Sequence, residues 1–314
     1  MNTHFYGLLH IADNDININF KPKSNDEKVS VYIKNAELLA KSLARDNINF
    51  TLLTNNQSEL DRIRKSSILK IKEIKFKTKI IKGSHFYPCY YRIDVFKYLS
   101  KQKNKYCFLI DLDVVLINSI TKKIRKFAKR KNVLVNDITN LIVPAYGYER
   151  IKFEFSLLRK KKWQHKWYGA DFIAGSDYFF SELYKAVQPI YLQFQKNFAE
   201  LKNQGDELFL SSAIEILIEK NIFNIIDARS KKIIGRYWSV PRKHPQAKFK
   251  EIFKNNLVHF LADKRYLAEY NENKFDNKKF VSDFKKYNFS IKRVMRNSLS
   301  YMFNKYIKLK KMYY

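Results

Sequence analysis

Tyr106-Cys107-Phe108-Leu109-Ile110-Asp111-Leu112-Asp113 is an apolar run that ends in two carboxylates one residue apart. A short continuous apolar run of this kind reads as a buried strand, and such a strand has no use for charge of its own. In open α/β sheets ligands gather outside the carboxyl ends of the strands, so acids at that position are placed for a cation. Hard divalent ions take oxygen ligands, commonly one or two carboxylates, with substrate phosphates completing the shell. The stretch therefore predicts a Mg²⁺ or Mn²⁺ site that faces a diphosphate.

Outward from this strand the chain alternates strand-like and helix-like segments. Phe5 to Ala12 reads as a first strand that ends at Asp13, and Val29, Ile33, Ala36, Ala40 and Leu43 then recur at helical spacing. Asn49 to Thr54 and Leu69 to Ile74 read as further strands, and Arg92, Asp94, Val95, Phe96 and Leu99 lie on a helix that leads into the acidic strand. This βαβα order predicts an α/β fold with a doubly wound, mostly parallel sheet flanked by helices and joined by right-handed crossovers. A nucleotide is expected over the ends of the first strands, near Asp13 and Arg92.

At 314 residues and 46% hydrophobic content the chain can bury a full core. The balance of 61 basic against 30 acidic residues gives a formal charge of +31, which suits either a polyanionic partner or a Lys-rich solvated surface. No zinc-finger, RRM or recognition-helix signature accompanies it, so nucleic acid is not expected as a partner. Cys89 and Cys107 are the only cysteines, without a zinc-binding pattern, and fit a reducing compartment. Met1-Asn2-Thr3-His4-Phe5 begins no signal peptide, and no run of about 18 apolar residues offers a membrane span, so the expectation is a cytoplasmic protein.

Three further constellations bear on chemistry. Trp167 to Ser176 sets small residues around Asp171 in a strand-like stretch. Gly175 permits close approach there, Ser176 caps the next helix, and Asp171, if buried, needs a partner that a sugar hydroxyl would supply. Asn203 to Leu210 opens a helix with Asp206 and Glu207. Such acids complement a helix dipole, or place one carboxylate beneath a sugar anomeric carbon while the other binds hydroxyls. Asn256 to Tyr266 is an apolar strand carrying His259, followed by Lys264 and Arg265. Beside an acidic pair that wants a third ligand the histidine becomes a metal ligand, and the two cations face the leaving diphosphate. Of the basic runs, Lys122 to Lys131 reads as a solvated helix face, and Arg159 to Lys166, with Trp163 inside it, as a contact for an acidic acceptor.

In this order the motifs Asp111-Leu112-Asp113, Gly169 to Gly175 and Asp206-Glu207 resemble those of GT-A glycosyltransferases, in particular the retaining α1,3-galactosyl and N-acetylgalactosaminyl transferases of the histo-blood-group type. The resemblance implies that Asp111 and Asp113 bind Mn²⁺ or Mg²⁺ and the UDP diphosphate. It implies that Gly169, Ala170, Asp171 and Gly175 line the sugar pocket, and that Glu207 with Asp206 supplies the carboxylate beneath the anomeric centre. His259 is similar to the histidine of a second branch, the glycogenin-like and lipooligosaccharide galactosyltransferases. Their His-x-x-Gly-x-x-Lys-Pro motif gives a metal ligand and a phosphate contact, and here Ala262, Arg265 and Tyr266 stand for its glycine, lysine and proline. The whole implies a metal-dependent, retaining hexosyltransferase with a nucleotide-sugar donor and a surface-glycan or lipid-linked acceptor. The alternatives are a haloacid-dehalogenase-like phosphohydrolase with Asp111 as nucleophile, and a basic nucleic-acid-binding protein.

Residues 1–270 are expected to form the catalytic domain and 271–314 a helical tail. From Lys285 to Tyr314 the chain has nine Lys or Arg and no acid, with Ile291, Met295, Leu299, Met302, Tyr306 and Leu309 at three-to-four spacing. A basic amphipathic helix of this kind lies on anionic lipid or packs on the core. The first option predicts a peripheral protein on the inner face of a membrane.

Overall fold

Strands β1 (Asn2–Leu9), β2 (Phe50–Thr54), β3 (Lys70–Glu73) and β4 (Lys105–Ile110) pair in parallel in the order β3-β2-β1-β4. The computed structural model describes residues 2–11, 24–64, 68–84, 87–240, 243–270, 275–291, 293–295 and 298. Asp13 and the tail from Leu299 onward lie outside the described residues.

The two-residue period of a strand divides the core. Phe5 and Phe108 point to one side, where Val29, Ile33, Ala36 and Leu43 of helix Asn25–Ala44 cover them. Tyr6, Cys107 and Leu109 point to the other, against Val95, Phe96 and Leu99 of helix Arg92–Leu99 and Phe179, Phe180 and Val187 of helix Asp177–Lys196. Ser24 starts the first helix by accepting from the Glu27 amide at 3.1 Å, and Ser176 caps the last through the Phe179 amide. The sheet is thus doubly wound and mostly parallel, as expected. Its continuation is β7 (Tyr168–Ser176), β6 (Asn132–Asp137) and β8 (Asn224–Asp227), and within this sheet only β7 runs against its neighbours.

The sequence pattern did not foresee a second sheet. β5 (Val114–Leu116), β9 (Ile234–Tyr237) and β10 (Leu257–Phe260) form it in the order β5-β10-β9. The chain leaves the large sheet at Ile110 and enters the small one at Val114, so Asp111-Leu112-Asp113 is the turn that joins them. Helix Asn277–Asn288 closes the outer side of the small sheet by packing Phe280 and Phe284 against Phe260. Beyond it, Phe289, Ile291, Val294 and Met295 are exposed. The Lys122–Lys131 run is a helix only from Thr121 to Phe127, after which the chain turns into β6. Among the described residues no helix is long and apolar enough to cross a membrane.

Candidate metal and donor site

The joining turn gathers side chains from both sheets. The Asp111 amide donates to the Asp171 carbonyl at 3.1 Å, extending the antiparallel β4–β7 pairing by one residue. The Phe260 amide donates to the Asp113 carbonyl at 2.9 Å, which sets Asp113 beside His259 of β10. His259 Nε2 lies 3.1 Å from Asp113 Oδ1 and 3.7 Å from Asp111 Oδ2. One donor atom from each of the three residues falls within 4.8 Å of the others, a spacing that one cation can bridge.

Behind the histidine stands a second layer. His259 Nδ1 lies 2.9 Å from Asp171 Oδ2, so that its N–H donates to that carboxylate and Nε2 is the nitrogen aimed at the acids. The parallel register sets Arg236 of β9 beside His259 on the same face, where Arg236 donates to both Asp171 oxygens at 2.9 and 2.8 Å. Asn136 donates to the same carboxylate, and the irregular β6–β7 pairing after Val135 lets Asp171 face this group. Burial would raise the Asp171 carboxyl, but Arg236 and His259 hold it well below the usual carboxylate range. The sugar hydroxyl expected as its partner is therefore replaced by protein donors. Asp171 positions His259.

Protein cations also bind the two acids. Lys264 Nζ donates to Asp113 Oδ2 and the Arg92 guanidinium to Asp111 Oδ1. Burial opposes the charge on Asp113, yet Lys264 and His259 keep its carboxyl well below its ordinary value. Burial also pushes the His259 imidazole down, but Asp113 and Asp171 outweigh it and hold the pKa at about 9. A site that recruits this much positive charge fits a divalent cation.

The expected donor-binding residues divide by position. Arg92 reaches the site as a counter-ion, bound to Asp111 and the Ala170 carbonyl and 2.6 Å from Asp206 Oδ2. Asp206 is buried on Arg92, and burial pushes its carboxyl up to about 6. Of the Asp206-Glu207 pair, Glu207 is the more open to solvent, held at 2.6 Å by Arg236 and at 3.0 Å by the Trp167 indole N–H. Lys264 lines a cleft of about 230 Å³ with Asp111, Asp113, Arg92, Lys28 and the end of β1. Arg265 does not join it: its guanidinium contacts Glu27 at 3.1 Å. Of the two cations expected at the diphosphate, Lys264 thus lines the cleft and Arg265, the next residue of helix Lys264–Glu269, turns to Glu27.

Gly169 and Ala170 stand at the site, but Gly175 does not. It pairs with Cys107 at the far end of β4, where a side chain would strike Phe179. At Gly169 a Cβ would collide with the Arg236 guanidinium and Asp171. Gly169→Ala should cost about 1–3 kcal/mol in thermal unfolding by displacing Arg236; an unchanged midpoint would show that Arg236 is free to move aside.

The sequence motifs point to neither Arg236 nor Asn136, and they give Trp167, at the head of the Asp171 stretch, no role of its own. The signal was available for Arg236: an arginine inside Ile234-Gly235-Arg236-Tyr237, a strand of low exposure, needs an acid. In the basic run Arg159–Lys166, Arg159 pairs with Glu215 and Glu219, Lys161 with Glu219 and Lys166 with Asp137, while Lys160 and Lys162 are exposed.

No protein-family model matches this chain, and no curated protein matches it in sequence. Among solved structures it is similar to mouse xyloside xylosyltransferase 1 in its apo form, with 10% identity and a TM-score of 0.48 over 84% of this chain and 99% of that one. It is similar also to the galactosyltransferase LgtC in complex with donor and acceptor sugar analogs, with 10% identity and a TM-score of 0.49 over 88% of this chain and 99% of that one. The chemistry of the site stands on its own geometry.

Proposed function

We propose that the chain is a metal-dependent glycosyltransferase of GT-A type that takes a UDP-linked hexose as donor and passes it to a glycan or lipid-linked glycan. The observation that carries this reading is the meeting of Asp111, Asp113 and His259 where two sheets join, beside a cleft at the carboxyl end of β1 and β4. Two carboxylates with one imidazole favour Mn²⁺ over Mg²⁺, which prefers an all-oxygen shell. When bound, the ion would neutralise the negative charge that grows on the leaving diphosphate.

The protein groups then have distinct tasks. Lys264, which donates to Asp113, is the cation beside the diphosphate. Glu207 is the carboxylate offered to the positive charge that develops at the anomeric carbon, with Arg236 and the Trp167 indole fixing its direction. Asp206 positions Arg92. On this assignment the anomeric configuration is retained, and NMR of the product tests it: inversion removes Glu207 from its role. Of the two branches that the sequence resembles, the histidine beside the acids favours the glycogenin-like one. The phosphohydrolase alternative gives His259 no task. Exposed Phe289, Ile291, Val294 and Met295 next to Lys285 and Lys286 support attachment to the anionic inner face of a membrane.

Thermal unfolding with UDP tests the reading, since a ligand that binds only the native state raises the midpoint. UDP should raise it only with Mn²⁺ present. An equal rise in EDTA would contradict the proposal.

A further inference from the structure

A second cleft, of about 790 Å³, opens at the carboxyl ends of β6 and β8. One wall is aromatic. Tyr148 and His165 stack with centroids 5.3 Å apart and planes 15° from parallel, and Trp163 lies 5.5 and 5.2 Å from the two rings. The other wall is polar, with Thr139, Asn140, Arg229 and Ser230. The acids of the cleft are already satisfied: Asp137 by Lys166 and the Thr139 hydroxyl at 2.6 Å each, and Asp227 by the Arg229 and Ser230 amides at 2.9 and 3.0 Å. The polar wall is tied together as well, the Arg229 guanidinium donating to Asn140 Oδ1, the Ser230 hydroxyl to the Asp227 carbonyl and the Thr139 hydroxyl to Asp137, so that it offers a ligand the remaining N–H groups and lone pairs of these side chains.

That combination matches a pyranose, which has a face of C–H bonds and a rim of hydroxyls. A hydrogen-bond path links the cleft to the proposed catalytic centre. Thr139 Oγ1 accepts the Trp167 amide at 2.8 Å, and the indole of the same Trp167 donates to Glu207. We propose that this cleft holds a neutral pyranose unit of the acceptor glycan against Tyr148 and His165. The inference rests on the glycosyltransferase reading and gives it an acceptor class. It differs from the acidic acceptor expected from the Arg159–Lys166 run, of which Arg159, Lys161 and Lys166 have acidic partners within the chain.

Saturation-transfer NMR of the whole chain with the methyl α- and β-pyranosides of glucose, galactose and mannose tests it. Tyr148→Ala removes a half-exposed ring, and His165→Asn removes the other while suiting the positive φ of 62° at that position. At least one pyranoside should receive saturation from the native protein and bind about tenfold more weakly to both variants. If Tyr148→Ala fails to fold, His165→Asn alone decides. No transfer to any pyranoside, or transfer equal in the variants, would overturn the proposal. UDP and Mn²⁺ binding is measured in the same samples: its absence from the native protein overturns the glycosyltransferase reading, whereas sugar binding lost with UDP binding intact concerns the cleft alone.

Discussion

Asp113→Asn should abolish metal-dependent transfer, with a loss on the order of 10³ or more. The substitution removes one of three ligand atoms and also the anion that neutralises Lys264 and His259. Some loss of stability is therefore expected as well, so Asp111→Asn, at the more exposed acid, is the companion variant. Both should lose the rise in unfolding midpoint that Mn²⁺ gives with UDP. A fully active, metal-responsive Asp113→Asn would refute the site.

Proton release gives the same site a pH signature. His259 is protonated at neutral pH because its pKa is raised to about 9, above the ordinary value of 6.5. Its contribution to stability is therefore full below pH 6.5 and fades as pH rises through 9. A metal ion needs the unprotonated Nε2, so binding below pH 9 must expel about one proton, and affinity should climb up to about tenfold per pH unit until that point. Calorimetry in two buffers of different ionisation enthalpy counts the proton. His259→Gln should release none.

The second large effect is expected at Arg236. It is buried and contacts Asp171 twice and Glu207 once, so Arg236→Met leaves the fully buried Asp171 carboxylate with only His259 and Asn136. Breaking a buried pair in this way costs about 3–5 kcal/mol. Transfer should fall too, because Glu207 loses its guanidinium anchor. Adding Asp171→Asn to Arg236→Met should recover part of the stability without recovering transfer. A midpoint unmoved by Arg236→Met would show that Asp171 is not held as described.

The parts of this architecture that were legible in the sequence are those written in local pattern. The apolar run into Asp111 and Asp113 marks a strand end whatever surrounds it, and helix Arg92–Leu99 carries its own periodicity. The small sheet was hidden because β5, β9 and β10 are three or four residues long and pair across distant parts of the chain. Without that sheet, nothing brings Arg236 to Asp171, and a buried acid in a strand is left looking for a ligand. Helix phase separates Arg265 from Lys264, and sheet polarity removes Gly175: β7 runs antiparallel, so its later residues move away from the site.

The central claim is that Asp111, Asp113 and His259 grip one ion. Anomalous diffraction from a crystal grown with Mn²⁺ and UDP tests it most directly. The account predicts a single peak about 2.0–2.4 Å from a carboxylate oxygen of each aspartate and from His259 Nε2, with Lys264 withdrawn from Asp113. Density for UDP with no such peak, and Lys264 and Arg92 still seated on the two carboxylates, would contradict it.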